Sequence, residues 1–316
     1  MRKTLHKKLK YNAGGIIETH KGKEKIVFII VFIILAVHCL TLFLPVIWLL
    51  LNSVKTMFDY SYQNNTFSLP MSNVKFETLT GVAGKAGWRF DNYLTAFTSL
   101  KIEGGPNFFG MLFNSLYYTL ATAFLSAFAP AVTGYVLSKY NFKCKELIYG
   151  VAIFSMTIPI VGATASSIQL AIKIGHYNTL LFPIIANLSG FTGNFLVYYG
   201  FFKSVSWAYA EAAQIDGANP FVIFFKVMMP QAVPMMLTFM LISGINAWNN
   251  YETIMLYMPD HPTIASGLYQ FKETYINFKT TIYYAGLVIS MIPPLVLFAC
   301  FSNRIMTSIS IGGLKG

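Results

Sequence analysis

A chain of 316 residues that is 55% hydrophobic, 11% charged and has a mean hydropathy of +0.55 is too apolar for a soluble globular domain, where about 25% charge is typical. Its formal charge of +11 follows the connecting segments instead of gathering on one polar face, which argues against a nucleic-acid surface. Cys39, Cys144 and Cys300 lack a C-x-x-C spacing, so neither a metal site nor a redox pair is expected and all three read as structural. What remains is an all-α polytopic membrane protein.

Residues 1–25 form a basic N-terminal tail carrying Arg2, Lys3, Lys7, Lys8, Lys10, Lys21, Lys23 and Lys25 against Glu18 and Glu24, directly before an apolar run. The positive-inside rule keeps such an end in the cytoplasm, and a lipid-binding or regulatory role for the tail is the sharper alternative. The apolar run is too long for a cleaved signal and lacks a small-residue cleavage site. Residues 26–51 make the first transmembrane helix, about 39 Å long against roughly 30 Å of hydrocarbon, with His38 expected to pack against a neighbouring helix. Residues 52–105, broken by Asn64, Asn65, Pro70, Gly81, Gly84 and Gly104, form an extracytoplasmic loop. Trp88, Tyr93 and Phe97 suit an interfacial helix there, either capping the mouth of a pore or meeting an outside protein.

Residues 106–302 hold five further crossings. The second span runs from Phe108 to Leu137 and is followed by Lys139, Lys143 and Lys145; the third, Leu147 to Ile172, is interrupted by Pro159 and Gly162. A turn near Gly175 to Asn178 leads to the fourth, about Leu180 to Phe202. Residues 203–230 are a soluble-looking loop: a short helix over Ser206–Asp216 with Ser206 as its cap, a stop at Gly217, and a new helix entered through Asn219 as N-cap and Pro220 as first residue. The fifth span follows Pro230 and reaches about Tyr257. Within it Asn246 reads as glue between helices, while Asn249 and Asn250 are either glue or the lining of a translocation path. An outer loop with Glu252 and Asp260 continues to Lys279, and the last span, Thr281 to about Ser302, carries Pro293 and Pro294. Residues 303–316 are a C-terminal tail. Six crossings place both termini in the cytoplasm: the inside segments then hold fifteen bases against five acids and the outside segments eight against seven.

The loop sequence EAAQIDGANPFVIFFKVMMP resembles the EAA loop of ATP-binding-cassette (ABC) importer permeases, with Glu211, Ala212, Ala213, Asp216, Gly217, Ala218, Phe224, Lys226 and Pro230 on the family's positions. FNSLYYTLATAF followed by GYVLSKYNFKCK, the WNNYETIMLYM segment, and ISMIPPLVLFACFSNRIMTSISIGGLKG are similar to the second span, fifth span and tail of carbohydrate-uptake permeases, specifically the maltose-type second subunit. Ser206 stands where the family usually has proline, and Ser308 where the tail usually has glycine.

The resemblance implies a type I ABC importer permease fold with six transmembrane helices and a cytoplasmic coupling helix, in a bacterial or archaeal cytoplasmic membrane. It implies pairing with a homologous permease, docking of two ABC ATPase subunits on the coupling loops, and delivery of a sugar or oligosaccharide by an extracytoplasmic solute-binding protein. Gly312, Gly313, Lys315 and Gly316 would reach the ATPases. The chain has no G-x-x-x-x-G-K-[ST] phosphate cradle, so it is expected to be no enzyme and to bind no cofactor of its own, ATP and Mg belonging to the partner ATPase. The other readings are an ABC permease for a peptide, amino acid or anion, and a self-contained secondary transporter, against which stands the scarcity of charge within the spans.

Overall fold

The computed structural model describes residues 23–63, 67–81, 87–101, 105–158 and 161–313, and every regular element among them is helical. The chain divides into two units, one ending at Leu50 and one beginning at Leu51. Where described, the first is helix α1 (Lys23–Ser53, its last turn belonging to the second unit), an apolar rod with Pro45 inside it. Its side chains are exposed almost throughout, His38 included, so the expected packing of His38 is not found within this unit.

In the second unit a segment of three short helices, α2 (Met57–Tyr62), α3 (Asn73–Thr80) and α4 (Asp91–Ser99), stands where a polar loop was expected. Buried polar groups hold it together. The Asn92 amide donates to the carbonyls of Ser53 (2.8 Å) and Lys55 (2.9 Å), and Tyr93 shares a 2.7 Å bond with the Ser53 hydroxyl. Tyr93 is therefore turned inward, while Trp88 and Phe90 ahead of α4 and Leu94 and Phe97 within it remain exposed. Asp59, 1% exposed, accepts from the Met71 amide at 2.7 Å and from the Gln63 side chain. Burial pushes the neighbouring Lys55 ammonium below the usual lysine range, and the Asp59 carboxylate pulls it partly back. Asp59→Asn replaces one of these two acceptor oxygens by a donor, and is expected to cost about 1–3 kcal/mol of stability, read as a lowered thermal midpoint in detergent.

Helix α5 (Phe108–Lys139) is the axis of this unit. After it come α6 (Lys145–Thr157), α7 (Thr164–Ile174), α8 (Phe182–Ala186), α9 (Gly193–Ser204) and α10 (Ala208–Ile215). A continuous helix from Pro220 to Asn249 comprises α11 (Pro220–Val222), a π-helical turn (Ile223–Met228) and α12 (Met229–Asn249). Then follow α13 (Glu252–Tyr257) and α14 (Ile264–Gly313), the last bent at Lys279 where φ is −136° and ψ 33°. α9 and α12 pack along α5. Tyr135, Tyr198, Phe202, Ile223 and Met228 form the cluster between them at one end, and Phe108, Met111, Trp248, Leu268 and Phe271 form another at the opposite end of α5.

Four helical segments among the described residues are long and apolar enough to cross a membrane: Ile26–Ser53, Phe108–Lys139, Pro220–Asn249 and Lys279–Cys300. The third and fourth expected crossings are discontinuous. The third consists of α6 and α7, 13 and 11 residues long, each short of the roughly 20 residues that hydrocarbon demands. Its break contains Gly162 at φ +77°, and Pro159 lies outside the described residues. The fourth is unwound over 187–192, where the sequence pattern predicts continuous helix. Hydroxyls and carbonyls of α5 accommodate the break: Thr133 donates to the Gly190 carbonyl at 2.7 Å, the Asn187 amide donates to the Thr122 hydroxyl at 3.3 Å, and the Asn194 amide to the Ser126 carbonyl at 3.4 Å. Irregular backbone at membrane depth is tolerated where protein groups satisfy it in this way.

Four boundaries differ from expectation. The helix of the fifth expected span begins at Pro220, not after Pro230, and ends at Asn249, with Tyr257 closing the separate helix α13. The outer loop expected up to Lys279 is helical from Ile264, and α14 continues through the expected tail as far as Gly313. Lys315, Gly316 and residues 1–22 lie outside the described residues.

Candidate functional site

The segment between α9 and α12 forms a helix, a corner and a second helix. The Ser206 hydroxyl accepts from the Ala208 amide at 3.3 Å, and α10 starts two residues later than expected, with Trp207 next to it and no side-chain cap there. The helix stops through paired capping bonds: the Gly217 amide donates to the Gln214 carbonyl (3.0 Å) and the Ala218 amide to the Ala213 carbonyl (2.9 Å). This is a Schellman cap, which needs a left-handed residue at its turn, and Gly217 supplies it at φ +80°. Asn219 then accepts from the Val222 amide at 2.9 Å and Pro220 occupies the first helical position, as the sequence predicts.

Pro230 does not close the loop. It sits in the first turn of α12, directly after the π-helical turn. A proline cannot donate to the carbonyl four residues back and its ring crowds that carbonyl; the turn preceding Pro230 is the wider π form.

One face of α10 is fixed and the other is open. Ala210 is fully buried against the α5–α9–α12 cluster, and Ala213 and Ala218 pack beside it half-buried. Glu211, Ala212, Asp216 and Gly217 are exposed. Three large apolar side chains stand out with them: Tyr209 at 58%, Ile215 at 88% and Phe221 at 76% exposure. These three are not among the expected site residues, although bulky apolar residues inside a polar connector were the available signal. Small residues at Ala212 and Gly217, apolar knobs around them and the Glu211 carboxylate make a surface suited to close contact with another protein.

The other expected site residues lie elsewhere. Asn249 is exposed, and its amide donates to the Ile245 carbonyl at 2.9 Å. Asn250 is half-buried and accepts from the Thr253 amide at 3.0 Å, two residues ahead of α13. Asn246, expected as glue, is exposed on α12, while Trp248 beside it is buried and donates to the Ser290 carbonyl at 3.0 Å. Next to Asn250, Tyr251 and Tyr269 stack with centroids 4.4 Å apart and planes 12° from parallel. Gly312 and Gly313 form the last described turn of α14. No group of three or more His, Cys, Asp or Glu able to hold a metal occurs among the described residues.

The family described as "binding-protein-dependent transport system inner membrane component" matches residues 126–310. Among similar proteins, the probable ABC transporter permease protein YurM of Bacillus subtilis is 25% identical over 90% of this chain and 88% of its own. The diacetylchitobiose uptake system permease protein NgcG of Streptomyces coelicolor is 27% identical over 86% and 83%, and the arabinooligosaccharides transport system permease protein AraQ of Bacillus subtilis 27% over 72% and 79%. A crystal structure of a bacterial ABC transporter involved in the import of the acidic polysaccharide alginate contains a chain that superimposes with a TM-score of 0.71 at 20% identity, covering 90% of this chain and 99% of that one.

Proposed function

The chain belongs to the binding-protein-dependent transport system inner membrane component family, and on that premise we propose that it is the permease subunit of an ABC importer that carries a sugar or oligosaccharide into the cell. The observation that carries the proposal is the corner at Gly217, which holds α10 with Glu211, Tyr209 and Ile215 outward and Ala210 locked to the membrane helices. The carbohydrate permeases among its relatives support the choice of substrate class.

In this reading α10 is the coupling helix. Two ATPase subunits bind ATP and Mg and dock on this loop and on the loop of a homologous permease, and an extracytoplasmic binding protein delivers the sugar. Glu211 meets a basic group of the ATPase, and Ala212, Ala213, Asp216, Gly217 and Ala218 shape the close contact. Pro230 is part of the connection to α12 rather than of the contact itself. Gly312, Gly313, Lys315 and Gly316 extend toward the ATPases. Asn249 and Asn250 border the sugar path, with both termini of the chain in the cytoplasm. The chain itself supplies passage and no catalytic group.

The test is uptake of radiolabelled oligosaccharides by proteoliposomes holding the permease pair, the ATPase and the binding protein. Uptake that requires ATP and every subunit is expected; uptake by this purified chain alone would overturn the proposal. Gly217→Val is a narrower prediction. A β-branched residue resists positive φ, so the variant is expected to insert normally and to lose about 1–2 kcal/mol of corner geometry, seen as reduced co-purification with the ATPase.

A further inference from the structure

The reading of α10 as the coupling helix leaves open how its movement enters the membrane. We infer that Lys139 is the positioning residue of that joint: with Tyr135 it ties the end of α5 to both chain segments that flank α10.

On the entry side, the Lys139 ammonium donates to the Val205 carbonyl, where α9 ends and the chain turns toward α10. A cation at a helix C-terminus meets the negative end of the dipole, and a charge-assisted bond holds its geometry more firmly than a neutral one. Tyr135, 2% exposed and one helical turn back, packs edge-on to Phe202 of α9 with centroids 5.4 Å apart. Tyr140, just beyond α5, meets Trp207 at 6.2 Å, adjoining the first residue of α10. On the exit side, Tyr135 also lies 4.9 Å from Phe224 in the π-helical turn.

The two flanks differ in stiffness. The entry flank is held by a charge-assisted hydrogen bond and edge-on rings. The exit flank is held by a ring contact alone and passes through a π-wound turn, a local break in the α-helical ladder of the kind frequently found at functional sites. A displacement of α10 is therefore carried into α5 through Lys139 and Val205, while the π turn absorbs the accompanying change in angle toward α12. Tyr135 is buried and the Lys139 ammonium is engaged by the Val205 carbonyl, so in this reading the joint transmits movement without contributing to docking.

The test uses the whole complex of permease pair, ATPase and binding protein. Lys139→Met is expected to assemble, to retain basal ATP hydrolysis, and to lower both binding-protein-stimulated hydrolysis and sugar moved per ATP by roughly tenfold, the scale of one lost bond to a charged group. Lys139→Arg, which keeps the charge and the donor, is expected to restore the ratio. Unchanged sugar per ATP in Lys139→Met would overturn the inference, as would equal loss of basal and stimulated hydrolysis that arginine does not rescue, which is the signature of a merely structural bond. If the methionine variant does not assemble, Lys139→Gln is judged by the same ratio, and a preserved ratio again overturns the inference. Absence of ATP-driven uptake in the unaltered complex would instead remove the importer reading beneath it.

Discussion

Glu211→Ala is expected to weaken binding of the ATPase subunit by about 2–5 kcal/mol, roughly 30- to 5,000-fold in Kd, if the carboxylate is enclosed against a basic partner on docking. Two features of the isolated chain set this size. Glu211 is exposed and stands on the same face of α10 as Ile215, four residues on, which is 88% exposed. Apolar knobs beside a charge exclude water from it once a partner closes over them, and a charge pair without water is much stronger than the same pair on an open rim. Titration of the purified ATPase against the reconstituted permease pair measures the loss. A change well below about 1 kcal/mol would make Glu211 a solvated rim residue and leave docking to Tyr209, Ile215 and Phe221.

The second large effect is expected inside the membrane helices. A Cβ at Gly134 would lie 2.8 Å from the Tyr198 Cβ and 2.9 Å from the Tyr199 backbone nitrogen. The obstacle on the α9 side is backbone, which cannot turn away as a side chain does. Gly134→Val must therefore separate α5 from α9 along their closest approach, at a cost of about 3 kcal/mol or more. Gly200→Ala is the control. It lies on the same helix α9, nothing stands within 4 Å of the position an alanine methyl would take there, and alanine favours a helix over glycine by about 1 kcal/mol. Thermal unfolding in detergent is expected to show a large drop for the first variant and none for the second.

What is legible in the sequence depends on whether local chemistry or tertiary contact decides the outcome. Gly217 and Pro220 act through their own backbone and Asn219 through a side-chain cap three residues away, all local effects, so the corner can be placed to the residue. The unwinding over 187–192 cannot, because the small and polar residues Asn187, Ser189, Gly190 and Thr192 are also accommodated inside membrane helices and read the same whether the segment is helical or held open by Thr122, Ser126 and Thr133 of α5. Lys272, Glu273 and Lys279 give the helix starting at Ile264 the polarity of a loop. Its signal is present nonetheless: Ile264, Leu268, Phe271 and Tyr275 recur at helical spacing, and the first three are buried. Pro230 misleads in the opposite direction. Its place in the motif suggests an end, whereas here it lies inside the continuous Pro220–Asn249 helix, just after a widened turn.

Ala212 provides the most direct test of the coupling surface. In a chain whose Cys39, Cys144 and Cys300 are replaced by alanine, Ala212→Cys is exposed to a membrane-impermeant maleimide from one side of the membrane at a time. Labelling from the cytoplasmic side alone, blocked when the ATPase is bound, is the predicted result. Labelling from the outside, or labelling from the cytoplasm that bound ATPase leaves unchanged, would contradict the account.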